Sequence, residues 1–482
     1  MKRESAAVLA MIASLLAASP LAAADTNKTE ERSRTNAGVK LPPYQELKLS
    51  NGATILLMER HDVPMIAFSA RIRGGSVVDT AGKEGVASLV AEMLQRGAGK
   101  RDAAAFAEAV DNVGGAINTG SSREAITVSG NFLSRDANVM LELLADMLER
   151  PTFPESEIVK TRERMIDEIA AAKDADLRQL INIYFANFVY GNHLYGKPVR
   201  GTETSLAGLT REDVLTYYRN HLGSDRMTLA IVGDFSSADI QSRLRAHFGK
   251  WSKAAAPAPS IPAPQPVKGT RVLLVDKPDA TQTYFWIGNT GIARNDPDRV
   301  PIELANTVFG GRFTSILNQE LRAKSGLTYG ANSVMSRETR PGLVAISTYT
   351  KTDTTEKAVD LALSLLDRYR KEGLDDAALA SVKSYVLGQF PPRIETSVQL
   401  AARLAEIHFY GLDKSDVDRY AEMVGSANRA TVNRLAARVY PARENLTFVF
   451  IGKADAIRNA VKKYGPVTEM KITDKTFTAR AN

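Results

Sequence analysis

Two halves of this chain have the same apolar landmarks in the same order, and this repetition constrains the fold more than any other feature. The matching pairs, at offsets of 217, 220 and 219, are ILLM at 55–58 with VLLV at 272–275, YG at 190–191 with YG at 410–411, and MTLAIVG at 227–233 with LTFVFIG at 446–452. One match between apolar strands carries little weight. Three matches within three residues of a common offset indicate a duplicated domain, for which a chain of 482 residues has room.

A proline-rich segment lies between the two halves. Residues 254–266 contain five prolines, separated mostly by Ala, Ser and Gln. This composition favours an extended polyproline II tether. We therefore predict six segments along the chain: a signal peptide at 1–24, a flexible lead-in at 25–42, an N-terminal domain at 43–250, a linker at 251–268, a C-terminal domain at 269–465 and a tail at 466–482.

Strand and helix patterns mix within each half. Each half opens with strand-like sequence, at 53–73 and at 270–288, and closes with an apolar strand that ends in glycine. Helical stretches lie between these strands, and the clearest apolar stripe consists of Val86, Leu89, Val90, Met93 and Leu94. This order predicts an α+β fold with two domains, each a sheet backed by helices.

The first residues have the pattern of an export signal. Lys2 and Arg3 precede an apolar run at 6–16, and three alanines at 22–24 offer a cleavage site. The run is short for a membrane span and ends in Pro20 and small residues, which disfavours an uncleaved anchor. We predict a periplasmic protein that has no membrane span after signal cleavage.

Composition excludes several kinds of site. The chain has no cysteine, so disulfides, zinc ribbons, iron–sulfur clusters and cysteine nucleophiles are excluded. No two of its five histidines stand at helical spacing, and we interpret them as surface or capping residues: His61, His193, His221, His247 and His408. The formal charge of +7 comes without a dense basic block, which argues against nucleic-acid binding.

Short motifs along both halves carry a resemblance to a known family. They are LSNG at 49–52, GGS at 74–76, GVA at 85–87, GG at 114–115 with Asn118, YGKP at 195–198 leading to GT at 201–202, and FGGRF at 309–313 through LRAKSGLTY at 321–329. From about residue 43 to about 465 the chain resembles the pitrilysin/insulinase superfamily of zinc metallopeptidases, in the short two-domain branch of the processing peptidases. The resemblance implies two homologous LuxS/peptidase-like domains, each with a mainly antiparallel sheet backed by helices.

The zinc motif of the family is degenerate here. Catalytic members carry H-x-x-E-H on a helix after Gly-Val-Ala, with two histidines as zinc ligands and a glutamate that activates water. Both histidines and the glutamate are missing at the corresponding positions, which are Ser88, Leu89, Val90, Ala91 and Glu92. Glu168 matches the third-ligand position, but one carboxylate makes no zinc site, so the resemblance implies no metal in this chain. Glu92 and Glu168 stay open to two interpretations, a weak cation site or a solvated or hydrogen-bonded helical face.

Arg322 and Tyr329 match a pair that, in two-domain enzymes of the family, reaches across to the zinc site. The pair binds the substrate backbone and stabilises the oxyanion, because a guanidinium and a phenol can both donate to an oxygen that gains negative charge. We predict a helix at 314–324, Gly326 as its stop and a strand at 327–332. The alternative is that Arg322 is a helix-end charge and Tyr329 a half-buried strand aromatic.

In the family the catalytic site has two parts, the zinc motif and the Arg/Tyr pair. This chain keeps only the second part, which implies a partner that supplies the first. The resemblance implies the non-catalytic subunit of a heterodimeric peptidase, with the zinc bound by a homologous partner that has H-x-x-E-H, and with peptides or unfolded segments as substrates. Gly115, Ala116 and Asn118 match the strand to which such substrates add, unless this segment is a plain edge hairpin. The alternative function is a binding or scaffold protein without a hydrolytic role.

Overall fold

The computed structural model describes residues 38–479. The predicted signal peptide and residues 25–37 of the predicted lead-in lie outside this range. Between residues 38 and 479, no helix combines the length and the apolar character that crossing a bilayer requires.

A mainly antiparallel sheet forms the centre of the first half. Its strands, together with the short ladder of β4 and β5, are β1 (Gln45–Lys48), β2 (Thr54–Glu59), β3 (Met65–Arg73), β4 (Gly97–Ala98), β5 (Arg101–Asp102), β6 (Ala116–Ser121), β7 (Ala125–Leu133) and β8 (Met227–Gly233). The six-stranded sheet has the order β1-β2-β8-β3-β7-β6. Only β2 and β8 are parallel neighbours.

The second half repeats this sheet. Its strands are β9 (Arg271–Asp276), β10 (Gln282–Thr290), β11 (Ala331–Met335), β12 (Leu343–Lys351), β13 (Thr447–Gly452) and β14 (Val467–Lys471). The order β11-β12-β10-β13-β9 repeats β6-β7-β3-β8-β2, and β9 and β13 are again parallel. The outer strands differ, because β1 is antiparallel to β2 whereas β14 is parallel to β9. The predicted α+β fold with two mainly antiparallel sheets is confirmed.

Helices accompany each sheet in matching order. Those of the first half are α1 (Val86–Met93), α2 (Ala103–Asp111), α3 (Ala137–Glu149), α4 (Glu155–Ala175), α5 (Leu177–Tyr190), α6 (Glu203–Ala207), α7 (Arg211–His221) and α8 (Ser237–Phe248). Those of the second half are α9 (Arg299–Asn306), α10 (Ile316–Asn318), α11 (Thr355–Glu372), α12 (Asp376–Gln389), α13 (Ser397–Phe409), α14 (Ser415–Asp418), α15 (Tyr420–Ser426), α16 (Arg429–Val439) and α17 (Ala454–Val461), with π-helical turns at Thr307–Gly311 and Gln319–Lys324. The apolar stripe predicted around Val86 is α1, and its apolar residues are buried.

One helix of each half packs on the sheet of the other half. Helix α13 lies against β3 and β8, and α5 lies against β10 and β13. Each sheet is therefore covered on its second face by a helix from across the chain. The two hydrophobic cores reflect this exchange, since Trp286 and Val449 belong to the core of the first half, and Leu56 and Val232 to that of the second.

Both ends of the described chain cross to the opposite half. Leu41 is buried in the core of the second half, and its backbone N–H donates to Asp418 Oδ1 over 2.8 Å. Phe477 is 1% exposed and contacts Tyr184 of α5, with ring centroids 5.0 Å apart. Leu41 falls within the predicted lead-in and Phe477 within the predicted tail, and each side chain is buried on the other half. The predicted domain boundaries stay predictions.

The proline-rich segment runs without helix or strand between the sheets. Its backbone makes hydrogen bonds to both halves. The Ile261 carbonyl accepts from Arg340 Nε over 2.7 Å, and the Pro262 carbonyl is 3.0 Å from His193 Nε2. Directly after the segment, the Val267 N–H donates to Asn289 Oδ1 over 3.0 Å. The segment therefore lies against the protein surface over part of its length.

A buried glutamate joins the two halves at their hairpin loops. Glu124, in the turn before β7, is 4% exposed and accepts a hydrogen bond from the Tyr195 hydroxyl over 2.5 Å. It also accepts from the backbone N–H and the hydroxyl of Thr339, both over 3.0 Å, in the loop before β12. The Tyr195 oxygen in turn accepts from the Arg340 N–H over 3.0 Å. One carboxylate thus organises a contact between the halves.

Replacing Glu124 with alanine should lower the free energy of unfolding by about 2–4 kcal/mol, because buried donors on both halves lose their acceptor. Glu444→Ala, at an exposed position, is the matched control and should change stability by less than about 0.5 kcal/mol. Chemical denaturation followed by circular dichroism measures both. Equal effects of the two substitutions would contradict this role for Glu124.

Candidate functional site

A buried aspartate accepts hydrogen bonds at the start of α1, the helix that corresponds to the zinc-motif helix of the family. Asp79 accepts hydrogen bonds from the backbone N–H groups of Gly85, over 2.8 Å, and Ala87, over 3.2 Å, at the start of α1. Burial raises the pKa of Asp79 to about 8, against the effect of these donors and of Lys197. Gly85 has a φ of +96°, and a Cβ there would lie 2.8 Å from Gly201 Cα. The glycine therefore lets the start of α1 approach the loop that carries Arg200.

Two of the degenerate zinc positions face the protein interior. Ser88 is buried and donates from its hydroxyl to the Val199 carbonyl over 2.7 Å. Ala91 is buried in the apolar core. Ser88 thus holds α1 to the neighbouring loop, and neither side chain presents a ligand atom in the place of the zinc-binding histidine or the catalytic glutamate.

Glu92 and Glu168 meet across α1 and α4, and two arginines lie between them. Arg164 makes ion pairs with both carboxylates. Arg200 pairs with Glu168, and its Nη2 lies 3.5 Å from Glu92 Oε1. Burial lowers the pKa of Arg164, but the two carboxylates outweigh this effect and raise it overall. We call Glu92, Arg164, Glu168 and Arg200 the arginine–glutamate cluster.

The cluster changes what these carboxylates can bind. Two negative and two positive groups balance, and a guanidinium has no lone pair for a metal. Across residues 38–479, no group of three or more metal-ligating side chains is present. The residues present therefore do not fit a zinc ion. Of the two interpretations of Glu92 and Glu168, the geometry favours the hydrogen-bonded helical face over the cation site.

Sequence reasoning missed both arginines. Arg164 precedes Glu168 by one helical turn, a spacing that favours an ion pair. That spacing was the available signal. Arg200 is 32 residues from Glu168 and reaches it only through the fold.

The predicted substrate-binding residues lie at a sheet edge beside the cluster. A cavity of about 500 Å³ is lined by Glu92 together with Gly115, Ala116 and Asn118. Strand β6 pairs only with β7 in the sheet, so its other edge is unpaired among the described residues. The structure therefore brings the predicted strand and the degenerate motif to one groove. Gly115 has a packing role as well, because a Cβ there would lie 2.3 Å from the Phe132 ring.

Arg322 and Tyr329 both belong to the surface of the second half, and their backbones flank one helix end. Arg322 belongs to the π-helical turn Gln319–Lys324, and its guanidinium carbon lies 4.6 Å from the ring centroid of Phe313. Tyr329 is 80% exposed, and Phe313 is 69% exposed. We call Phe313, Arg322 and Tyr329 the exposed Arg/Tyr face. Neither Arg322 nor Tyr329 lines the groove that holds Glu92 and β6.

The predicted helix stop at Gly326 is confirmed, but the predicted strand starts too early. Gly326 follows the helical turn with a φ of +63°. The N–H groups of Leu327 and Thr328 then bond to the Leu321 carbonyl, which folds them against the end of the helix. Strand β11 begins only at Ala331, so Tyr329 lies in a loop and is not a half-buried strand aromatic.

Two family models match this chain. Residues 55–200 match the model described as insulinase (peptidase family M16), and residues 208–386 match the model described as the peptidase M16 inactive domain. The chain belongs to the pitrilysin/insulinase superfamily. The first match ends before β8, and the second runs from the end of the first half through β12 of the second half to α12.

Relatives in the superfamily match over most of their length. An uncharacterized zinc protease of Bacillus subtilis, YmxG, is 25% identical over 391 residues, which are 81% of this chain and 94% of the relative. An uncharacterized zinc protease of Streptomyces coelicolor is 25% identical over 406 residues, 83% of this chain and 88% of the relative. A peptidase M16 inactive domain of Pseudomonas fluorescens has the same fold, with a TM-score of 0.80, 23% identity and coverage of 85% and 98%. A protease of Helicobacter pylori superposes with a TM-score of 0.80 at 19% identity, covering 86% of this chain and 100% of that one.

Removing the two arginines of the cluster should expose its carboxylates to cations. We expect Arg164→Gln combined with Arg200→Gln to lower stability by about 1 kcal/mol, since the pairs are partly exposed. Affinity for Mn²⁺ or Zn²⁺ should rise at least about tenfold, because two carboxylates then lack counter-charges. Isothermal titration calorimetry measures the affinity. Arg219→Gln, which breaks the exposed pair with Glu212, is the control, and tight zinc binding by the unchanged chain would contradict the interpretation.

Asp79 should make stability depend on pH. Its folded-state pKa of about 8 lies above the ordinary aspartate value of 3.8. The folded protein then holds a proton that the unfolded chain has released, so stability falls as the pH rises from about 4 to about 8. Asp79→Asn should flatten this slope in thermal unfolding at several pH values. Asp102→Asn, which removes the charge of an exposed aspartate but keeps a side-chain oxygen to cap α2, is the matched control and should keep the slope. An unchanged slope in Asp79→Asn would count against this assignment.

Proposed function

We propose that this protein is the non-catalytic subunit of a periplasmic, heterodimeric zinc metallopeptidase that cleaves peptides or unfolded segments. Membership of the superfamily and the degenerate motif support a peptidase-like subunit without its own zinc. The observation that carries the proposal is the exposed Arg/Tyr face. A phenol that is 80% exposed, seven residues after an arginine that contacts the exposed Phe313 ring, has no packing role that explains it, whereas a site completed by a second chain does.

The residues of this chain have defined tasks in the proposed complex. Arg322 is oriented by its contact with Phe313, and Tyr329 stands in a short loop held by the end of the preceding helix. Both donate hydrogen bonds to the carbonyl oxygen of the substrate, which becomes more negative as the peptide bond is attacked. Such donors lower the barrier because they interact more strongly with the transition state than with the substrate. The partner, a homologue with H-x-x-E-H, binds the zinc.

The unpaired edge of β6 is the proposed place for a peptide backbone. An extended peptide can add to this edge through main-chain hydrogen bonds, with little dependence on its side chains. Ala116 is small, and Asn118 is exposed on the same strand. The neighbouring carboxylates of Glu92 and Glu168 are neutralised by the arginines of the cluster, so the groove carries no unbalanced charge from this source.

The test is the activity of the complex with a zinc-bearing homologue of the same organism. Arg322→Ala should lower kcat by about 10²–10³, and Tyr329→Phe by about tenfold or more, because each removes a donor to the developing oxyanion. Tyr385→Phe, at another exposed tyrosine, is the control and should keep full activity. Size-exclusion chromatography must show that each variant still forms the complex.

Two results would contradict the proposal. The first is an intact complex whose kcat does not change in Arg322→Ala. The second is the failure of any zinc-bearing homologue to bind this chain, together with peptide binding that leads to no cleavage. That second result would support the alternative of a binding or scaffold protein.

A further inference from the structure

A cavity rich in arginine lies at the junction of the two halves, apart from the residues of the proposed site. Its volume is about 370 Å³, which lies within the range of small-molecule sites, about 300–1,000 Å³. Strand β3 of the first half contributes one wall, and the second half supplies the others. Six arginines line it: Arg71, Arg294, Arg299, Arg337, Arg393 and Arg403. We call it the arginine cavity.

Two carboxylates neutralise only part of this charge. Asp416 is 4% exposed and pairs with Arg294 at 3.0 Å, with Arg299 at 2.7 Å and with Arg403. Glu406 pairs with Arg294 at 2.9 Å and with Arg403 at 3.0 Å. Three guanidinium groups thus share two carboxylates. The arginines more than offset the effect of burial and lower the pKa of both acids, which are therefore charged.

Among the lining residues, Glu303 is the one carboxylate left for the other three arginines, Arg71, Arg337 and Arg393. Glu303 lies 3.9 Å from Arg337 and 3.9 Å from Arg393, beyond hydrogen-bonding distance in both cases. Arg71 makes no ion pair within residues 38–479, and its guanidinium carbon lies 5.9 Å from the ring centroid of Phe409. Counting six arginines against Glu303, Glu406 and Asp416, the cavity carries a formal charge of +3.

Several of these groups are buried without full hydrogen bonding. Arg71 Nε and Arg403 Nε are both inaccessible to solvent and have no acceptor in the described part of the chain. Burial also lowers the pKa of Arg337, because its removal from water outweighs the opposing effect of Glu303, Glu406 and Asp416. Buried donors and cations destabilise a protein unless something accepts their hydrogen bonds. The two Nε atoms show that the arginines are not fully satisfied, and the cavity itself is lined by Arg71, Arg337 and Arg393 without a carboxylate at hydrogen-bonding distance among the described residues.

We propose that the arginine cavity binds a small polyanion that carries two or more carboxylate or phosphoryl groups. A planar guanidinium matches both groups through paired hydrogen bonds. Arg71, Arg337 and Arg393 would contact the anion, since Asp416 and Glu406 already hold the other three. The anion would connect the halves, because Arg71 belongs to the first sheet and the others to the second half. This site is independent of the exposed Arg/Tyr face and of peptide cleavage.

Thermal unfolding of the mature chain in three salts tests the proposal. Sodium phosphate and trisodium citrate are titrated against sodium chloride at matched ionic strength. We expect a saturable rise in Tm with phosphate, with citrate or with both, and none with chloride, because a ligand that binds only the folded state stabilises it. A response to phosphate alone identifies a phosphoryl ligand, and a response to citrate alone identifies a carboxylate ligand. The absence of a saturable rise with either anion would overturn the proposal.

Variants separate a ligand site from a structural arginine network. Arg337→Gln should weaken the binding of the effective anion at least tenfold, measured by isothermal titration calorimetry. Its Tm in chloride should not fall, since the variant removes a buried and incompletely paired cation. Arg393→Gln provides a second test, because this side chain is 61% exposed and its replacement should leave folding unchanged. Arg245→Gln, at an exposed position outside the cavity, is the control and should bind as the unchanged chain does. Unaltered affinity in both cavity variants would overturn the proposal.

Discussion

The fold depends on an exchange of helices between the two halves. Each sheet has one face covered by helices of its own half, and α13 or α5 from the other half covers the second face. Neither half could bury both faces of its sheet alone, because the exchanged helix comes from across the chain. The terminal segments repeat the exchange, with Leu41 in one core and Phe477 in the other. The two repeats are therefore one cooperative structure, and the site residues of each half are held in place by the other.

Much of this architecture can be predicted from the sequence because it is local or repeated. The apolar stripe around Val86 has a helical period, and it is found in α1. The shared landmarks at 227–233 and 446–452 are β8 and β13, which occupy equivalent central positions in the two sheets. Gly326 ends a helix because its backbone adopts a conformation that few other residues tolerate. In each case the deciding interaction lies within a few residues or is present twice.

What escaped prediction depends on contacts between residues far apart in the chain. Nothing in the sequence of α13 distinguishes a helix that covers its own sheet from one that covers the other. Strand β14 lies in the segment predicted as a tail. Only Met470 of its residues is buried, and its pairing with β9 exists only in the folded chain. The ion pair between Arg200 and Glu168 of α4 likewise exists only in the folded chain, because the two residues are far apart in the sequence. The position of Tyr329 in a loop follows from hydrogen bonds to Leu321 that no periodicity reveals.

The two arginine-rich sites of this protein differ in one respect that decides their chemistry. In the arginine–glutamate cluster, two guanidinium groups pair with two carboxylates, so the charges balance and the carboxylates need no metal ion to neutralise them. In the arginine cavity, six guanidinium groups face three carboxylates, and two buried Nε atoms have no acceptor among the residues described. A balanced cluster holds α1 and α4 together without a ligand. The unbalanced arginine cavity stabilises the junction of the halves most when a bound anion neutralises its excess positive charge. This excess of positive charge is the property that distinguishes a binding site from a structural ion-pair network.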